Sequence, residues 1–284
     1  MWKRKGTWLV GGAGVLVAGF ALVVHFARAG VKVQVGRPCP ENARTTISAV
    51  DHSSYDALLQ RYVDDQGMVA YAQWKQNAAD LKQLDDYLAR LGCVDLQSSA
   101  SKNDRLAFWI NAYNALTLKG ILKEYPTSSI RNHTAKIAGY NIWKDLLLWV
   151  DGQYYSLDDI EHSILRRMGE PRIHFAIVCA SKGCPQLWNH AYSGKNLDAE
   201  LTANARRFFA KPANFRADAQ NRTVYLSQLL QWYGRDFAST SAGQLQRLRP
   251  YFPHPEQLGW LNGKVTVRYL PYDWSLNDRA PVAH

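Results

Sequence analysis

DRLAFWINAYNALTLKGILKE, residues 104–124, decides the fold. Phe108, Trp109, Ile110, Ala112, Tyr113, Leu116, Leu118, Ile121 and Leu122 leave almost no polar face on a helix of this length. A helix that is apolar nearly all round is buried on most sides, so this segment is the spine of a core. Asn103 or Asp104 is placed to cap its start, and Pro126 lies just beyond its end. Asn111 and Asn114 are three residues apart and share one face of this buried helix. A buried asparagine needs hydrogen-bond partners. The pair therefore either orients a catalytic histidine or holds the backbone of a loop, and the second role is the commoner.

Shorter elements flank this spine. Residues 55–62 read as a helix with Leu58, Leu59 and Tyr62 at helical spacing, broken by Asp65-Gln66-Gly67. Residues 74–91 give a second helix, ended by Gly92. Residues 143–156 read as a hairpin around Asp151-Gly152, a favoured type I′ turn pair. Ser156 and Asp159 have the spacing of a capping box at the start of another helix. Ile173, Phe175, Ile177 and Val178 make 172–179 a strand covered on both faces. A helix at 196–210, a strand at 223–226, a helix at 227–237 and a strand at 264–270 complete the pattern. The fold class is α+β: a single mixed domain over 50–278, with helices packed on a small, mostly antiparallel sheet. Residues 30–49, with Pro38 and Pro40 around Cys39, read as a linker.

Residues 1–29 read as an N-terminal transmembrane or signal helix. Lys3, Arg4 and Lys5 precede an uncharged run from Gly6 to Val24, about the length of one bilayer-spanning helix. Positive charge before the run keeps the N-terminus in the cytoplasm and exports the rest. Ala27-Arg28-Ala29 has the form of a signal-peptidase site, so a retained anchor and a cleaved signal both stand, the run's length favouring the anchor. The expected location is periplasmic or extracytoplasmic, with the inner membrane as partner if the helix is uncleaved. The net charge of +10 suits an anionic envelope component. Basic residues are scattered, which argues against nucleic acid. There is no phosphate-binding glycine loop and no dinucleotide fingerprint, so no cofactor is expected.

Six residues carry the chemistry. Glu161 falls on the buried stripe traced by Leu157, Ile160 and Ile164, where a carboxylate is costly unless paired. Arg105 and Arg172 are its candidate partners. His174 interrupts the apolar strand. Cys184 precedes Pro185, as a cysteine capping a helix does, and a helix N-terminus makes a thiolate reactive. Cys184 is then the nucleophile, His174 its base, and Glu161 or Asn111 the group that orients the histidine. Asn114 and Cys179 are supporting residues. The other reading makes Cys179 and Cys184 a structural disulfide, one of the three full pairings open to Cys39, Cys93, Cys179 and Cys184. The spacing of these groups matches no standard zinc pattern, so no metal is expected.

FWINAYNALTLKGIL (108–122), LDDIEHSILRR (157–167), HFAIVCASKGCP (174–185) and YDWSLN (272–277) resemble the family known as domain of unknown function 547. YDALLQRYVDDQGMVAYAQW (55–74) fits as well. The resemblance implies recurrent positions at Asn111, Asn114, Glu161, His174, Cys179 and Cys184. It implies no settled activity. The family bears a distant similarity to papain-like and transglutaminase-like folds, which place a nucleophilic cysteine at the start of the central helix. Here the comparable helix offers Asn111. Two functions follow as expectations. One is a thiol-dependent hydrolase or acyl transferase on peptide or cell-wall amide bonds. The other is a non-catalytic envelope binding or scaffold domain with Cys179 and Cys184 joined.

Overall fold

The computed structural model describes residues 31–135 and 140–279, so the anchor or signal at 1–29 lies outside it. Among the described residues no helix is long and apolar enough to cross a membrane. The class is α+β, built of helices and small sheets.

The chain enters through β1 (Val33–Val35) and β2 (Thr45–Thr46), then winds α1 (Ser53–Tyr62), α2 (Tyr71–Gln76) and α3 (Ala78–Leu91). The single helix expected over 74–91 is two. Asn77 takes an extended conformation, and its side chain accepts the Asp80 N–H to start α3. This local side-chain bond offers the backbone an alternative to continuing the helix. Asp80 is then fixed by Arg61 at 2.6 Å and by the Tyr62 hydroxyl at 2.5 Å. After β3 (Val94–Asp95) comes the long helix α4 (Lys102–Glu124). Its cap is Ser101, and Asp104 is the N3 partner that closes a capping box. Every residue from 106 to 118 is buried, as the apolar pattern requires.

The hairpin forms as its turn predicts. β4 (Leu146–Val150) pairs antiparallel with β5 (Gln153–Ser156), and Asp151 and Gly152 carry φ of 43° and 86°. Ser156 and Asp159 make the expected capping box. The helix they open is wound as a π-helix over Asp159–Leu165. Later come α5 (Leu197–Ala210), β6 (Phe215–Asp218), β7 (Thr223–Ser227), α6 (Leu229–Phe237), α7 (Ser241–Leu248) and β8 (Thr266–Leu270).

Three corrections follow. There are three small sheets instead of one, and parallel pairs (β1 with β4, β2 with β3, β7 with β8) sit beside the antiparallel pairs β4–β5 and β6–β7. Alternation marks a strand but not its partner; only a tight turn dictates antiparallel order. The stretch read as a linker is tied to the domain at several points. Two of its segments join sheets, and Cys39 is disulfide-bonded to Cys93 at the end of α3. Finally, 172–179 is not a strand. Pro171–Phe175 forms a 3-10 turn in which Ala176 and Ile177 both donate to the Ile173 carbonyl.

Beyond that turn the chain is irregular, and α4 holds it. Asn114 Nδ2 donates to the Ala176 carbonyl at 3.0 Å, and its Oδ1 accepts the Val178 N–H at 2.9 Å. Asn111 does the same for Tyr192, at 2.9 Å in both directions. Each amide replaces the strand neighbour this backbone lacks. Two apolar clusters result. The larger surrounds α4, and the smaller joins Phe175 to α5, α6, α7 and β6–β8. Phe175 lies in the second cluster while Ile177 and Val178 lie in the first. The Asn114 clamp therefore sits where the two cores meet. Asn114→Ala leaves two buried backbone groups unpaired, and urea unfolding is expected to show a loss of about 2–4 kcal/mol. A loss below about 0.5 kcal/mol, the range of ordinary surface substitutions, contradicts the clamp.

Candidate thiol site

Cys179 and Cys184 lie at the two ends of one tight loop. Their Sγ atoms are 2.6 Å apart, and both are free thiols. The loop is pinned by the C-terminal segment. Lys182 N–H donates to Ser275, Gly183 N–H to Asp273, and Asn277 N–H to Ala180, at 2.8, 2.8 and 3.1 Å. A Cβ on Gly183 would meet the Asp273 backbone nitrogen at 2.8 Å, so only glycine allows this approach. Ala180 takes a left-handed φ of 57°, a strained conformation that the flanking bonds enforce.

Cys184 is buried, at 5% exposure, and Cys179 is half-buried. Cys184 Sγ accepts the Cys179 N–H and the Tyr272 hydroxyl, each at 3.0 Å. Ser181 Oγ is 2.9 Å from that same hydroxyl. Burial pushes the Cys184 thiol up, but the hydrogen bonds from the Cys179 thiol, Ser181, Tyr272 and the Cys179 N–H together hold it below its ordinary value. Cys179 goes the other way: its hydrogen bond to Cys184, then burial, raise it well above the ordinary range. Of the two sulfurs, Cys184 is the one whose donors favour the thiolate, and Cys179 the one favoured as thiol. The expected helix cap is absent. Cys184 N–H closes a turn onto Ser181 at 3.0 Å, and no helix begins until Leu197. Discrete donors replace the helix dipole as the source of thiolate character.

His174 Nε2 is 2.8 Å from Asp236 Oδ2. A carboxylate only accepts, so Nε2 carries the proton and Nδ1 is the ring's free acceptor. Arg166 binds the same carboxylate through two contacts of 2.7 Å. Arg166, and after it His174, hold Asp236 well below the usual carboxylate range. The imidazole also stacks on Tyr233, with ring centres 4.2 Å apart. Its orientation is therefore fixed from two sides.

Glu161, in the π-helix, accepts the Tyr113 hydroxyl at 3.3 Å. Burial, and then the neighbouring Glu161, drive both the Tyr113 and Tyr233 hydroxyls far above their ordinary values. The arginines proposed for it lie elsewhere. Arg105 binds the carbonyls of Leu96 and Ser98, and Arg172 binds Glu170 and Asp198.

Glu161, His174, Cys179 and Cys184 line one cleft of about 380 Å³, walled by Trp143, Trp232, Trp274 and Tyr272. Among the described residues His174 hydrogen-bonds to neither sulfur. Asn111 and Asn114 do not enter the cleft; Asn111 binds Tyr192, so it does not orient the histidine. That task falls to Asp236, 62 residues downstream of His174 on α6. Nothing in the pattern of 227–237 marks Asp236. Tyr272, by contrast, opens the YDWSLN segment. No group of three or more metal-ligating side chains occurs among the described residues.

An α+β protein with a buried thiol pair facing an Asp-held histidine is the class this geometry defines. Residues 97–209 match the model of the family described as "Protein of unknown function, DUF547". The match contains α4, Glu161, His174 and both thiols, whereas Asp236 and Tyr272 lie beyond it. No curated protein and no solved structure matches the chain.

The site makes a pH-dependent prediction. After mild reduction, one thiol should alkylate rapidly at pH values below the ordinary thiol pKa of 9.0, and peptide mapping should place the label on Cys184. Tyr272→Phe removes a donor to the thiolate and should move the rate profile to higher pH. Equal labelling of both cysteines with ordinary profiles contradicts the assignment.

Proposed function

We propose that the protein is a thiol-dependent hydrolase or acyl transferase that works outside the cytoplasm on peptide or cell-wall amide bonds. The observation that carries this reading is the shared cleft: a thiolate held by Tyr272, and a histidine whose Nε2 is committed to Asp236. Cys184 Sγ attacks the amide carbonyl carbon, while His174 Nδ1 takes up one proton from water in the cleft and passes it to the departing amine. Water or a second amine then attacks the thioester, and His174 Nδ1 takes its proton. Asp236 keeps the imidazole in the tautomer this needs, while Glu161 positions the tyrosine hydroxyls around it. The missing contact between His174 and sulfur is compatible with this scheme, because such bonds often tighten only around substrate.

The extracytoplasmic location draws support from the disulfide between Cys39 and Cys93, since disulfides persist in oxidising compartments. It also draws on the basic-then-apolar N-terminus, which would tether the domain to the inner membrane if uncleaved. The charge of +10 suits an anionic envelope component as partner.

A p-nitrophenyl ester tests the chemistry. Intact mass should show one acyl group per protein, mapped to Cys184 and absent from Cys184→Ala. His174→Ala should leave acylation by this ester nearly unchanged, because p-nitrophenolate departs without a proton, and should slow hydrolysis of the thioester about 100-fold, the lower end of what general acid–base catalysis supplies. Acylation that survives Cys184→Ala, or none at all in the intact protein, sinks the enzyme reading. The non-catalytic envelope-binding domain then takes its place.

A further inference from the structure

Amide chemistry needs one sulfur, and the cleft holds two in contact. Cys179 Sγ lies 2.6 Å from Cys184 Sγ, inside a loop whose backbone is tied down at Ala180, Lys182 and Gly183. The Tyr272 hydroxyl donates to Cys184 at 3.0 Å and lies 3.4 Å from Cys179, so one side chain touches both sulfurs. A purely structural thiol pair has no use for a donor aimed at it from a cleft. We propose that Cys179 and Cys184 form a reversible dithiol–disulfide couple that exchanges electrons with low-molecular-weight thiols and disulfides of the glutathione class. This goes beyond the amide reaction, because it requires both sulfurs and no histidine.

The two sulfurs have different tasks. Cys179 is the more accessible, so a thiol approaching the closed disulfide meets it first, while Cys184, with more donors around it, is the better leaving thiolate. In the reducing direction, a glutathione thiolate attacks Cys179 Sγ. A bond forms between those sulfurs, the bond from Cys179 to Cys184 breaks, and its electron pair stays on Cys184 as thiolate. A well-stabilised thiolate is a good leaving group, so this step is fast. A second glutathione thiolate attacks the glutathione sulfur of the mixed disulfide. Oxidised glutathione departs, and Cys179 leaves as a thiolate that takes up a proton. In total the protein disulfide and two glutathione molecules give Cys179 thiol, Cys184 thiolate, oxidised glutathione and one proton. The oxidising direction runs the same steps backwards, with oxidised glutathione as the oxidant. Stabilising the reduced form in this way makes the disulfide form an oxidant. It also silences Cys184 toward amides whenever the disulfide is closed.

The full-length protein is equilibrated with glutathione buffers of graded ratio, acid-quenched, alkylated and mapped. Cys179 and Cys184 are expected to pass together from dithiol to mutual disulfide without retaining glutathione. Cys184→Ser should halt at one glutathione on Cys179. Tyr272→Phe should shift the midpoint at least tenfold toward the disulfide, the worth of one charge-assisted hydrogen bond. The couple is refuted if the wild-type pair stays a dithiol in excess oxidised glutathione, or if each cysteine collects its own glutathione. The wild-type map decides this even if a variant fails to fold. It is also separate from the ester test, which reads acylation on reduced protein.

Discussion

Two asparagine side chains on one buried helix hold the functional loop in place. Between Phe175 and Leu197 the chain has no regular structure, yet it supplies both sulfurs and crosses from one apolar cluster to the other. Irregular backbone in such a place would ordinarily leave unpaired N–H and carbonyl groups. Asn114 and Asn111 each present a donor and an acceptor to it and so act as short pieces of strand. Their hold on Ala176, Val178 and Tyr192 sets where His174 can sit on one side and where the Cys179 loop begins on the other. The apolar burial of α4 makes those amides rigid, and their rigidity is what makes the cleft reproducible.

The same economy governs the sulfurs. A buried thiolate is costly unless several donors face it. Here the donors come from two separated stretches: the loop itself, through the Cys179 N–H and Ser181, and Tyr272, which follows β8. The C-terminal segment that delivers Tyr272 also clasps the loop through Asp273, Ser275 and Asn277. Positioning and electrostatics thus share one set of contacts.

Much of this was legible in the sequence, and the exceptions have physical reasons. The spine at 104–124 was plain, because no other arrangement buries so many apolar residues. The hairpin was plain because Asp151-Gly152 demands positive φ, and the capping box at Ser156 was plain from spacing. Glu161, His174, Cys179 and Cys184 do share a cleft. The apolar run at 172–179 reads as a strand, yet such a run is buried equally well as an irregular segment clamped by asparagines. Sheet order stayed hidden because β1 and β2 find distant parallel partners. Asp236 leaves no periodic trace because it completes the site from far along the chain, and Tyr272 shows only as the first residue of YDWSLN, with nothing there to mark its role. Cys39 and Cys93 are 54 residues apart, and no spacing rule singles out that pairing.

The central claim is that thiolate and imidazole serve one reacting centre. A crystal structure of the protein alkylated at Cys184 by an amide-bearing electrophile tests it most directly. The account predicts that the adduct fills the cleft between Trp274 and Tyr233, with its polar atoms within hydrogen-bond reach of His174 Nδ1 and with Asp236 still on Nε2. An adduct that leaves the cleft, or a His174 turned away from it while Asp236 binds elsewhere, would contradict the claim.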